Sequence, residues 1–180
     1  MIKLLEKYHS RQGQTWTILA HHSRMVANKA VGIAQRLAAQ QPVDIKFVEE
    51  AAWLHDIGIH LTDAPDIGCS GKHPYLAHGI LGRQILEDEG LPRHALVCER
   101  HIGVGLSRAD IIDQGLPLPH RDMQPITIEE MIITYSDLFF SKSKHADNRE
   151  RSIELVRKRM SRHGEDKVTQ LDRWHKLFSV

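Results

Sequence analysis

Apolar residues recur along this chain at spacings of three, four and seven rather than in alternation, a pattern that predicts amphipathic helices. The first clear run is Thr17 to Ala39, where Ile18, Met25, Val26, Ile33 and Leu37 share a face with His22. Asp44 is placed to cap a second helix whose inner face holds Val48, Ala51, Ala52 and His55, and Gly58 is placed to end it. Pro65, Gly68 and Gly71 mark a loop between Ile59 and His73. Pro74 then suits the first turn of a helix ending near Gly90, on which His78 lies with Leu81 and Ile85. A short helix from about Pro92, stopped by Gly103, carries Val97, Cys98 and His101 on one side. Residues 103–126 read mostly as loop, interrupted where Ser107 and Asp110 form a capping-box pattern. Thr127 and Glu130 repeat that pattern and open "IEEMIITYSDLFFS", in which Ile133, Asp137 and Phe140 line one side. Helices from about Asn148 to Arg162 and from Glu165 to Phe178 complete the series, the last with Val168, Leu171, Trp174 and Phe178 at core spacing. No alternating strand, repeat or low-complexity tract stands out, so the expected fold is all-α.

Composition narrows the function classes. With 180 residues, 41% of them hydrophobic, the chain can bury one sizeable core, and a single domain over residues 1–180 is expected. The 24 basic and 23 acidic residues are interspersed and leave a net charge of +1, so nothing draws the whole molecule to nucleic acid or an anionic membrane. Any anion site must be local. Cys69 and Cys98 are too few for a disulfide framework, and no stretch reads as a signal peptide or a membrane span, which points to a cytoplasmic protein. The basic stretch from Arg157 to His163 has Glu150 and Glu154 nearby and reads as a solvated helix face. Trp174 and Phe178 are expected to pack on the bundle, a homodimer contact being the alternative. The loop after His101 is a candidate lid or substrate wall.

The unusual figure is 13 histidines. His22, the adjacent pair His55 and Asp56, His78, His101 and Asp137 all fall on apolar faces of separate helices. Any one alone is better explained as a core histidine bonded to a carbonyl or an aspartate held by a neighbour. Four imidazoles and two carboxylates converging in one bundle leave many lone pairs to satisfy, and metal ions answer that need directly. Nitrogen and oxygen donors without thiolates suit divalent Fe, Mn, Co, Ni, Zn or Mg, among which spacing does not choose.

The motifs "AHHSRMV", "LHDIG", "YLAHG", "ERHIGVGL" and "IITYSDL", from His22 to Lys142, resemble the successive motifs of the HD superfamily of metal-dependent phosphohydrolases, in particular small HDIG-type members. The resemblance implies an HD-domain helical bundle with a motif-bearing core at about residues 17–142 and C-terminal helices at 148–178 packed on it. It implies a basic ligand set of His22, His55, Asp56 and Asp137, to which His78 and His101 add a second metal position bridged by Asp56. It also implies two divalent ions that hold a hydroxide at neutral pH and hydrolyse a phosphomonoester or phosphodiester of a small molecule, a nucleotide among the candidates. Members with a similar six-ligand set are diiron oxygenases that cleave C–C or C–P bonds, and a metal-bound ligand sensor is a further alternative. One position departs from the pattern. Many HDIG phosphodiesterases carry lysine after the glycine, where this chain has Ile59 followed by His60, and the Gly-Tyr-Pro motif is also absent. Both features count against cyclic-dinucleotide cleavage. The phosphate grip is therefore sought in Lys72, Arg83 or Lys142, with His73 and His60 as candidate proton donors or substrate contacts. Arg100 is expected to pair with Glu99 or Glu87.

Overall fold

Nine α-helices form among the residues that the computed structural model describes, 1–142 and 149–179. They are α1 (Ile2–Tyr8), α2 (Gln14–Leu37), α3 (Ile45–Leu54), α4 (His78–Asp88), α5 (Pro92–Arg100), α6 (Arg108–Asp113), α7 (Ile128–Asp137), α8 (Ile153–Met160) and α9 (Glu165–Phe178). Side-chain caps explain several of the starts: Asp44, Ser107, Thr127 and Ser152 each accept the backbone N–H three residues on, satisfying a donor that the first helical turn leaves orphaned. Ser107 and Asp110 complete a reciprocal capping box. Thr127 and Glu130 do not, because the Glu130 carboxylate is taken by Arg100 and by the Ile126 N–H. That also corrects the expected partner of Arg100. Glu99 is held instead by Arg83 and Arg121. The expected start of α8 at Asn148 lies outside the described residues.

Two further elements escape the periodicity. The short helix α1 buries Leu5, and the loop after Ile59 folds into a three-stranded sheet of order β2-β1-β3. Here β1 (Thr62–Ala64) pairs antiparallel with β2 (Cys69–Ser70) and parallel with β3 (His73–Pro74). Gly58 does not end α3, which stops at Leu54; it sits inside a 3₁₀ turn, Ile57–Leu61. A Cβ on Gly58 would lie 2.4 Å from both the His78 carbonyl oxygen and the Gly82 nitrogen. Glycine is needed there so that the turn can rest directly on the backbone of α4.

The interior has two main apolar clusters. One joins α2, α3, α7, α8 and α9 through residues such as Val26, Ala52, Ile133, Val156 and Trp174; the other joins α1, α4, α5 and the 3₁₀ turn through Leu5, Ile59, Leu86 and Cys98. Several helices contribute to both. On α2, Leu19 belongs to the second cluster and Val26 to the first, with His22 between them. A ring of polar side chains therefore lies where the two apolar clusters meet.

Candidate metal centre

Helix ends build this site. His55 is the C-cap of α3, His101 the C-cap of α5, and His78 follows the 3₁₀ turn Tyr75–Ala77 at the start of α4. Each repeats one local arrangement. The ring Nδ1 donates to the carbonyl three residues earlier: His55 to Ala52 at 2.7 Å, His78 to Tyr75 at 2.7 Å, His101 to Cys98 at 2.8 Å. A carbonyl only accepts, so Nδ1 carries the hydrogen and the neutral ring offers its lone pair at Nε2. His22 reaches the same place from the middle of α2, and Asp137 from the last turn of α7.

Those Nε2 atoms converge. The pair His78 and His101 is 3.1 Å apart at Nε2, and the pair His22 and His55 is 3.3 Å apart. Asp56 is fully buried between the pairs. Its Oδ2 faces His22 Nε2 at 3.3 Å and His55 Nε2 at 3.1 Å, whereas Oδ1 faces His78 and His101, each at 3.4 Å. Asp137 Oδ1 lies 2.8 Å from His22 Nε2 and 3.4 Å from His55 Nε2. Two groups able to hold a metal ion result, His22–His55–Asp56–Asp137 and Asp56–His78–His101, with Asp56 common to both.

Electrostatics make the case for a cation. Burial pushes the Asp56 carboxyl up, but His55 and the Lys142 ammonium outweigh it and hold Asp56 well below the usual carboxylate range. Asp137 is held low in the same way by Lys142, His22 and His55. Burial pulls His55 down, yet Asp56 and Asp137 beside it carry it up to about 10. His78, in the second group, is driven the other way by burial, to about 3. A hydrogen bond between the Nε2 atoms of His78 and His101 requires one ring to be an imidazolium, which burial opposes at His78. Two lone pairs turned on one point in a dry site suit a metal ion, and this donor set fits one. The first group carries its own positive charge: Lys142 Nζ lies 2.9 Å from Asp56 Oδ2 and 3.7 Å from Asp137 Oδ1. A metal ion there competes with that ammonium and with the His55 proton.

A cavity of about 460 Å³ opens from the ring, lined by His78, His101, Asp137 and Lys142. Of the five candidates Lys72, Arg83, Lys142, His73 and His60, Lys142 alone is among the described residues that line it. Arg83, five residues along α4 from His78, is not in the lining and is committed to Glu87 and Glu99. Lys72 and His73 are exposed beside β1, where the Lys72 N–H donates to Leu61. His60 donates through Nδ1 to the Ile57 carbonyl. Ile59 is fully buried in the second apolar cluster, so the position after the glycine does not reach the cavity. The loop after His101 supplies one wall through Val104, Leu106 and Leu116. It is pinned by Arg121 to Glu99, by the Leu106–Met123 bridge and by Lys167 to Asp110. The periodic pattern did not reveal Tyr75, whose ring lies 4.7 Å from that of His78, or the further lining residues Arg151, Arg159, His163 and Lys167. No described helix is long and apolar enough to cross a membrane.

Comparison with known proteins adds the family. The HD domain model matches residues 19–141. An uncharacterised protein of Methanocaldococcus jannaschii is 34% identical over 106 residues, covering 58% of this chain and 55% of that one. A tRNA (cytidine(56)-2′-O)-methyltransferase of Thermoplasma volcanium is 30% identical over 90% of this chain and 42% of its own length. One of Picrophilus torridus is 34% identical over 62% and 29%. The chain thus spans between under a third and just over half of these relatives. Among solved structures, the HD domain of the Listeria monocytogenes phosphodiesterase PgpH superposes with a TM-score of 0.57 at 17% identity, covering 98% of this chain and 95% of that one. The same domain in complex with cyclic-di-AMP gives 0.57 at 18%, covering 98% and 94%. With the family model covering well over half of its length and all six converging ligand candidates, the chain belongs to the HD domain family.

Proposed function

We propose that this chain is a metal-dependent phosphohydrolase that uses two divalent ions to cleave a phosphoester of a small molecule, with nucleotides as the substrate class. One observation carries the reading: the two oxygens of buried Asp56 each face a different pair of imidazole Nε2 atoms, the arrangement of a carboxylate shared between two ions. Divalent ions held there supply Lewis acidity and lower the pKa of water toward neutrality. The chain's own residues do the rest. The Nδ1 tethers fix the three rings before any ligand arrives, so little reorganisation remains to be made. Lys142, which lines the cavity 2.9 Å from Asp56 Oδ2, would be free to offset charge on a phosphoryl oxygen where Asp56 holds metal instead. Val104, Leu138 and Phe140 wall the cavity with apolar surface and limit water around the reacting group. Among charged side chains the described lining holds four cations and one carboxylate, which suits an anionic substrate. Nucleotides are further supported by two of the comparisons, a domain crystallised with cyclic-di-AMP and relatives named for action on tRNA.

The test is protein loaded separately with Mn, Co, Ni, Mg or Fe and assayed on a phosphoester panel, with Asp56→Ala alongside. Phosphate release is expected with at least one metal. Asp56→Ala should lose metal from both groups and at least ~10³-fold in turnover. Iron-loaded protein that consumes oxygen with a polyol or phosphonate, while releasing no phosphate, would overturn the hydrolase reading in favour of an oxygenase.

A further inference from the structure

Part of the cavity lining comes from α8, α9 and their junction, beyond the residues that the family model matches. Its cations differ in what already holds them. Arg151 donates to the carbonyls of Leu138 and Phe140, and Lys167 is tied to Asp110 at 2.5 Å. Arg157, on the face of α8 that does not line the cavity, is neutralised by Asp172 at 2.9 Å. Arg159 lines the cavity, and no carboxylate among the described residues pairs with it. His163 follows it by four residues, past the last turn of α8, and lines the same cavity. The same lining includes the apolar side chains of Val104, Leu106, Leu138 and Met160. A single phosphate bound at the ring leaves the exposed Arg159 guanidinium without a carboxylate partner among the described residues.

We propose that Arg159 and His163 form a second anion subsite, so that the preferred substrate carries an anionic group at each end: a scissile phosphate at the metal ring and a further phosphate or carboxylate at α8. This rests on the phosphohydrolase reading only for which end is cleaved; the subsite itself is a matter of binding. A nucleoside bisphosphate has the required form, with its base and sugar against those apolar side chains. The cavity, about 460 Å³, falls within the range of small-ligand sites. The basic segment that sequence alone assigns to solvent thus becomes the determinant of specificity, because a guanidinium offers paired donors to a planar or tetrahedral anion.

The experiment measures binding of adenosine 3′,5′-bisphosphate and of adenosine 5′-monophosphate to the metal-loaded full chain by calorimetry, with hydrolysis followed in parallel. Wild type should bind the bisphosphate roughly tenfold or more tightly than the monophosphate, and Arg159→Ala with His163→Ala should erase that difference by weakening the bisphosphate alone. Any turnover should show the change in KM with kcat within about twofold. Arg157→Ala, on the other face of α8, should change nothing. Equal affinity of wild type for the two probes, or an equal loss for both in the double variant, overturns the subsite. If the bisphosphate preference appears and disappears as expected while no metal supports hydrolysis, the subsite stands and the phosphohydrolase reading falls. Hydrolysis without the preference has the reverse meaning.

Discussion

Two groups of histidines, one of buried His9 with half-buried His60 and one at the metal ring, have been made safe in opposite ways. His9 and His60 meet edge to face with ring centroids 4.8 Å apart, and both donate to one acceptor, the Ile57 carbonyl, each at 3.0 Å. That carbonyl has two lone pairs, so the neutral pair is satisfied in place. Burial, reinforced by His60, lowers His9 to about 4. In the ring of His22, His55, His78 and His101 the Nε2 atoms instead face each other and two carboxylates, and no shared backbone acceptor resolves them. Burial alone therefore does not mark a histidine as functional. What separates the groups is where the free lone pairs point after the backbone has taken its share.

The sharpest way to test that contrast is one alanine in each group. His78→Ala should remove one metal ion and reduce turnover at least ~100-fold, whereas His9→Ala should leave metal content intact and cost about 1–3 kcal/mol in denaturant unfolding. Equal metal loss from both would erase the distinction. Lys142→Ala comes next: without the ammonium 2.9 Å from Asp56 Oδ2, metal affinity should rise several-fold while KM for a phosphoester rises, measured by competition with a chelator and by initial rates. Gly58→Ala acts on the boundary between the groups. Its Cβ would strike the His78 carbonyl and Gly82 nitrogen, so a loss of about 1–3 kcal/mol is expected, together with weakened metal binding through His78.

The smallest effect is local and pH-dependent. His9 has its folded pKa lowered from 6.5 to about 4, so the unfolded form takes up the proton first as pH falls. The stabilising contribution is complete above pH 6.5 and lost progressively down to about pH 4. Amide protection factors in α1, corrected for the pH dependence of intrinsic exchange, should fall as pH drops through that window, and His9→Gln should flatten the response; an unchanged profile in the variant would remove His9 from the account.

The contrast also explains which parts of the molecule were legible beforehand. Asp44, Ser107 and Thr127 declare helix starts through local side-chain chemistry, and the faces carrying His22, His55, His78, His101 and Asp137 follow from the helical period. The structure brings these side chains together with Asp56. Strands of two or three residues are too short to display alternation, and α1 is only seven residues long, so neither leaves a periodic trace. Gly58 looks like a terminator, because a glycine needed for close packing against a distant backbone and one needed to end a helix are the same letter. Arg159 and His163 lie on a face that reads as solvated. Only folding shows that this solvent is a cavity shared with the metal ring, since its lining also includes residues some fifty positions earlier in the chain, Val104 and Leu106.

The tethers from ring Nδ1 to the carbonyl three residues back have a consequence for cooperativity. The last turn of a helix is ordinarily the part that opens first, because its carbonyls lack partners within the helix. Here the ends of α3 and α5, and the turn leading into α4, each hold a ring whose other nitrogen faces Asp56, His55 in one group and His78 and His101 in the other. Cations bound in the two groups would fasten ends that are far apart in sequence through that common carboxylate, by mass action on the closed form alone. Segments that would be the loosest in isolation would then become among the last to yield, and local opening at any one of them would be felt at the others through Asp56.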